Sequence, residues 1–247
     1  MLKEKGMKEL KTITQSKLYA WEQNRNMQNV FKTENLESYI LQHYKDFWSG
    51  FKVKVSSRDL ISFTKAWVQY CDKYWNILHK SLKKEKGCTD EQATKIANKF
   101  RGNVGEILAE YILTEFGSYI DKTTYNPVDP SNERFVDAFA QSKDGVDVNI
   151  QVKNFSGELD YLAFYKLGIE GLVYLYKNPD KAEKFLKRPR QILLTFTNTV
   201  FSKNEADYKL PISVVGPSEI DSFFSNKDYD AWIDACDCIL DNLENVK

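Results

Sequence analysis

A carboxylate, a carboxamide and an ammonium stand close together in one short stretch of this chain, as Asp137, Gln151 and Lys153. Side-chain oxygens beside a fixed positive charge suit charge chemistry, such as holding a cation, orienting a water or neutralising an anion. Two apolar-rich runs, 134–141 and 146–155, must position them, and Ser142-Lys143-Asp144-Gly145 separates the runs. Asp-Gly between β-prone runs predicts a hairpin. In the second run Val146, Val148, Ile150 and Val152 alternate with Asp147, Asn149, Gln151 and Lys153. A strand's side chains alternate with period two, so one face is apolar and the other carries acid, amide, amide and ammonium. The first run separates Val136, Ala138 and Ala140 from Phe135, Asp137 and Phe139 in the same way. A hairpin then brings Asp137 near Gln151 and Lys153. An ordinary half-buried hairpin with its polar face in solvent has the same alternation, and the hairpin alone does not separate the two readings.

The segment upstream adds acids. Thr89-Asp90-Glu91-Gln92 has capping-box order and predicts a helix start. The apolar pattern continues through Ile96, Phe100, Val104, Ile107, Leu108, Tyr111, Ile112 and Phe116 to Gly117. Gly102 and Gly105 interrupt it, which leaves open one bent helix or two. Glu106 and Glu110, four residues apart, share a helix face. Acids on helices are usually solvated. Glu106, however, adjoins Gly105 in a run otherwise destined for burial, where a missing side chain lets another group approach closely.

The remaining elements frame this pair. Residues 1–88 read as helical, with Leu36, Tyr39, Ile40, Tyr44, Phe47 and Trp48 at helical spacing after a start signal at Thr33-Glu34. Ser56-Ser57-Arg58-Asp59 is expected to open a second helix with a stripe of Leu60, Phe63, Trp67, Tyr70, Tyr74 and Ile77. Lys80, Lys83, Lys84 and Lys86 close that helix before Gly87, where cations oppose the helix dipole. At this spacing the aromatics read as core rather than as stacking platforms for bases. Residues 118–133 predict a loop or short strand and a turn, 160–176 a helix, and 181–190 a basic patch. Residues 191–197 and 210–215 predict strands, Ser218-Glu219 starts a short helix, and 226–247 form an acidic helix with Trp232, Ile239 and Leu243 inward. The order is that of a mixed α/β fold.

Composition narrows the chemistry. The chain has 247 residues, zero formal net charge, two histidines and four cysteines. Two histidines, His43 and His79, do not suit a His-rich zinc site or a His-based nuclease. Cys71, Cys88, Cys236 and Cys238 form no CxxC and read as free thiols in a reducing cytoplasm. No segment has the roughly 20 apolar residues of a membrane span, and the first residues lack the apolar core of a secretory signal. Residues 1–88 carry 17 Lys/Arg against 9 Asp/Glu, whereas 89–247 carry 18 against 26. A basic part joined to an acidic body suits a polyanionic partner, and equally suits solubility. GxxxxGK[ST], GxGxxG after a strand, GxSxG and HExxH are all missing, so the chain carries no nucleotide-driven motor of its own.

Together, Glu106 on a helix, Asp137 on a strand and Gln151-Val152-Lys153 on the next strand resemble the PD-(D/E)xK nuclease superfamily. The likeness is to its variant with glutamine in the third motif, in the Mrr-like restriction endonuclease group. It spans about 101–224 and includes Gly105-Glu106, Ala109-Glu110, the run from Phe135 to Ala140, Ile150-Gln151-Val152-Lys153-Asn154, and Ile212-Ser213-Val214-Val215. No proline precedes Asp137, and Gln151 stands where the family has an acid, which leaves fewer charges for a second metal.

The resemblance implies a restriction endonuclease-like core, with a mixed central sheet flanked by helices, at 89–225. A helical region at 1–88 and an acidic helix at 226–247 lie outside that core. The implied activity is Mg²⁺-dependent hydrolysis of DNA, with Mn²⁺ able to substitute, in restriction or phage defence. Asp137 would be the main metal ligand, with the Gln151 amide oxygen and the Val152 carbonyl beside it. Glu106 would hold a metal-bound water or a second ion. Lys153 would orient and help activate the attacking water or neutralise the phosphate. Glu110, Asp147 and Asn149 would stand behind these ligands. The implied partners are DNA and a homodimer or larger defence complex, with no membrane. Two other readings remain: a DNA-binding or assembly subunit that kept the fold without catalysis, and a nuclease for RNA or branched DNA.

Overall fold

The computed structural model describes residues 10–12, 36–57, 60–128, 136–157, 191–198, 212–226 and 229–245, with isolated positions between 169 and 179. Phe135, the Thr33-Glu34 start signal, the basic patch at 181–190 and most of the expected helix at 160–176 lie outside the described residues.

The first two described helices are α1 (Leu36–Ser56) and α2 (Phe63–Glu85). The serines at 56 and 57 close α1 instead of opening α2. Their hydroxyls donate back to the carbonyls of Lys52 and Lys54, each at 2.8 Å. The cap of α2 is Ser62, whose Oγ accepts from the Lys65 N–H at 3.1 Å. Phe63, Trp67 and Tyr74 of the expected stripe are buried, but Ile77 is 47 % exposed and faces outward. Helix α3 (Asp90–Tyr111) starts with the expected capping box of Thr89 and Gln92. It runs unbroken through Gly102 and Gly105 and ends in a single π-helical turn, Ile112–Phe116.

Among the described residues, five strands form one mixed sheet: β1 (Asn126–Pro127), β2 (Ala138–Gln141), β3 (Asp147–Lys153), β4 (Gln191–Thr195) and β5 (Ile212–Val215), in that spatial order. The β1–β2 and β2–β3 pairs are antiparallel, while β3–β4 and β4–β5 are parallel. The expected hairpin joins β2 to β3. Gly145 adopts φ +77°, which side chains rarely tolerate, and donates its N–H to the Ser142 carbonyl at 2.8 Å. Helices α4 (Pro217–Asn226) and α5 (Tyr229–Glu244) follow, the second with Trp232, Ile239 and Leu243 buried as its pattern requires.

Strand β3 differs from a solvated hairpin arm. Asn149 and Gln151 are 3 % and 4 % exposed, so its polar face is covered as fully as its apolar one. The reason is position: β3 is the central strand and runs parallel to β4, and such strands are covered on both faces. On one face Ala138, Val148, Ile150, Val152, Ile192 and Leu194 join the main core. On the other, Val136 and Leu193 pack with Phe139, Phe155, Ile212 and Val214.

The main core is continuous from α1 to α5, so both sequence positions 88 and 225 are crossed by packed side chains. Phe47 alone meets the rings of Trp48, Phe51, Trp67, Tyr70, Tyr74 and Phe100. These aromatics are structural. All four cysteines are free thiols, and desolvation pushes those of Cys71 and Cys236 up to about 12. Among the described residues no helix is long and apolar enough to cross a membrane.

Candidate active site at the end of β3

Strand β2 gives way at Asp137. Ala138 is the register partner of Ile150, yet the Ile150 carbonyl also accepts from the Asp137 N–H at 2.8 Å. Two residues set against one make a bulge, a device that re-aims a side chain. Asp137 therefore does not simply alternate with Phe139. Its Oδ2 takes the next place in the ladder and accepts from the Val152 N–H at 2.6 Å, a charge-assisted bond that fixes the carboxylate. The N–H and C=O of one strand residue leave by the same edge, so the Val152 carbonyl also lies on the Asp137 side. Gln151 and Lys153 flank Val152, and their side chains share the face that Asn149 occupies.

Gln151 carries an unexplained atom. Its Oε1 is buried and, among the described residues, has no hydrogen-bond partner. Such an acceptor costs about 1–3 kcal/mol, and native structures keep few of them. Asn149 Nδ2 and both polar atoms of Gln191 continue this unpartnered row away from Asp137. Replacing Gln151 with leucine should therefore raise stability by about 1–3 kcal/mol, read by denaturant unfolding, while removing any activity. A destabilised Gln151→Leu protein would mean that the carboxamide already has a partner.

Helix α3 is brought to the end of β3 by its glycine. A Cβ on Gly105 would lie 2.5 Å from Asn154 Cβ and 2.9 Å from its Nδ2. Asn154, the residue after Lys153, accepts from Trp67 Nε1 at 3.1 Å and donates to the Arg101 carbonyl at 2.7 Å. Glu106 is consequently held beside the strand end. The buried Tyr125, 1 % exposed, lies in the field of Glu110, Glu106 and Asp137. Burial first, and then these three carboxylates, push its phenol well above the usual tyrosine value. The fields of helix and hairpin acids thus overlap at this phenol. Lys153 is partly exposed and, among the described residues, its ammonium carries no ion pair.

The residues expected behind the ligands divide. Glu110, 2 % exposed, is committed to the N-terminal segment. It accepts from the N–H groups of Lys11 and Thr12, each at 2.8 Å, and from the Thr12 hydroxyl at 2.7 Å. Glu110→Ala should cost about 1–3 kcal/mol by stranding these donors and should speed exchange of the Lys11 and Thr12 amides. Unchanged exchange would show that the clamp is dispensable. Asp147 sits at the opposite end of β3, roughly 13 Å from Gln151 at strand rise, where Gln141 Nε2 donates to it at 3.0 Å. Asn149 shares the Gln151 face, one strand repeat away.

Sequence patterns gave Tyr125 and Asn154 no role. Tyr125 carries no sequence mark beyond preceding a turn, whereas Asn154 could have been suspected from a polar residue ending an otherwise buried strand. Among the described residues, no three His, Cys, Asp or Glu side chains are grouped to hold a metal. The Asp137 carboxylate, the Val152 carbonyl and the Gln151 amide are oxygen groups at the end of β3, with Glu106 on the neighbouring helix. In comparison with known proteins, the chain matches no family model and no curated sequence.

Proposed function

We propose that this chain is a metal-dependent endonuclease that hydrolyses DNA phosphodiester bonds. The observation carrying this reading is the buried, unpartnered Oε1 of Gln151, on the face shared with Lys153 and beside the Val152 segment to which Asp137 is bonded. An oxygen acceptor with no donor fits a hard cation, which takes carboxylate, amide and carbonyl oxygens and keeps its remaining positions for water. The donor set of Asp137, Gln151, the Val152 carbonyl and Glu106 suits Mg²⁺ or Mn²⁺. Such an ion would supply Lewis acidity toward a phosphoryl oxygen and a lowered pKa for water.

The chain's own residues do the positioning. Hydrolysis forms a bond between a water oxygen and phosphorus as one ester bond breaks, and negative charge grows on the phosphoryl oxygens. Lys153 offers an ammonium to that charge and can orient the water. The Val152 N–H holds the Asp137 carboxylate in one orientation, so no reorganisation is needed at that group. Glu106, set close by Gly105, contributes the second carboxylate. A role in restriction or phage defence, with a dimer or larger complex, follows from the family resemblance alone.

The direct test is incubation of supercoiled plasmid with Mg²⁺ or Mn²⁺, with and without chelator. Metal-dependent nicking or linearisation is expected. A folded protein that retards DNA but cuts under no metal would be a binding protein, and the nuclease reading would fall.

A further inference from the structure

An open pocket of about 460 Å³ lies beyond the C-terminal ends of β3 and β4. Ligands of open α/β sheets favour this end of parallel strands. The pocket opens past the same strand end as the site just described, toward the main core: Phe196, in its lining, donates its N–H to the Lys153 carbonyl at 3.3 Å, and Gly157 of the same lining follows β3. Its lining includes the apolar Phe196, Val68 and Pro217 together with Lys65, Gln69 and Asn198. The last three side chains are exposed and, among the described residues, have no hydrogen bond or ion pair. Lys65 and Gln69 are four apart on α2 and so present their head groups together.

The charge pattern selects the occupant. The start of α2 is taken by Asp221, which also lines the pocket, so the Lys65 ammonium is the cation of the lining left for an anion. The Asp221 carboxylate accepts from the Thr64 N–H at 2.8 Å and from Ser62 Oγ at 2.6 Å. What remains in the lining is apolar surface with two exposed carboxamides, each able to donate and accept, and one ammonium. Carboxamides of Asn and Gln match the donor–acceptor edge of a nucleobase, and the ammonium matches its phosphate.

We propose that this pocket receives one base of the nucleic-acid substrate, next to the bond that is cut, with Gln69 and Asn198 reading its edge and Lys65 meeting its phosphate. The inference rests on the nuclease reading for the presence of the strand, but the test needs no cleavage. The full chain, without divalent metal, is titrated with each deoxynucleoside 5′-monophosphate and with deoxyribose 5-phosphate, following side-chain amide resonances by NMR. At least one nucleotide should bind saturably and shift the Gln69 and Asn198 amides. Gln69→Ala and Asn198→Ala should each weaken that binding about tenfold, and deoxyribose 5-phosphate should bind much more weakly. Equal binding of the base-free sugar phosphate, or no saturable binding of any nucleotide, would overturn the proposal. If plasmid cleavage fails while nucleotide binding follows this pattern, the nuclease reading alone is lost. If cleavage succeeds and nucleotides do not bind, the pocket assignment alone is lost.

Discussion

Asp137→Asn and Lys153→Ala are each expected to reduce metal-dependent plasmid cleavage by about 10³-fold, the loss typical of removing a main electrostatic contributor. The asparagine variant is the sharper experiment. It keeps an oxygen to accept from the Val152 N–H, now at 2.6 Å from Asp137 Oδ2, and removes only the charge. Asp137→Ala instead strands that N–H and should cost about 1–3 kcal/mol as well, which mixes stability with chemistry. Lys153 is partly exposed and supports no ion pair among the described residues, so its removal should leave the melting temperature nearly unchanged. Cleavage by both variants at the wild-type rate would place any activity elsewhere in the preparation.

Gly105→Ala and Gly102→Ala, three residues apart on α3, should have opposite effects. A methyl at 105 would press on Asn154 at 2.5 Å. Asn154 cannot give way cheaply, because Trp67 Nε1 and the Arg101 carbonyl hold its side chain. Overpacking of this kind costs about 1–3 kcal/mol, and breaking the asparagine's bonds adds to it. For a chain of this size each kcal/mol lowers the melting temperature by roughly 2–4 °C. The shift should also move Glu106 away from the end of β3, so cleavage should fall by more than stability explains. A methyl at 102 meets nothing within 4 Å, and alanine in a helix interior is favoured over glycine by about 1 kcal/mol. Gly102→Ala should therefore melt higher and cut normally. Equal stability of the two variants would show that contact between α3 and Asn154 does not set the helix position.

Much of the frame was legible in local pattern. The capping box at Thr89 and Gln92, the turn at Gly145 and the alternation of β3 each depend on neighbouring residues, and each formed where expected. The start of α2 was misplaced because two local uses of serine look alike in sequence. At 56 and 57 the hydroxyls return to preceding carbonyls, while Ser62 accepts from the helix ahead.

By itself, the sequence determined which residue types could share a face: Gln151 with Lys153 on a strand, and Glu106 with Glu110 on a helix. Tertiary structure decided which of them share surroundings. Packing on both faces of the central strand buried Gln151, the bulge turned Asp137 toward Val152, and Gly105 let α3 settle against Asn154. The N-terminal segment took Glu110 for itself. Periodicity describes directions along one element, whereas burial and partner choice depend on contacts between residues far apart in the chain, which no local pattern records.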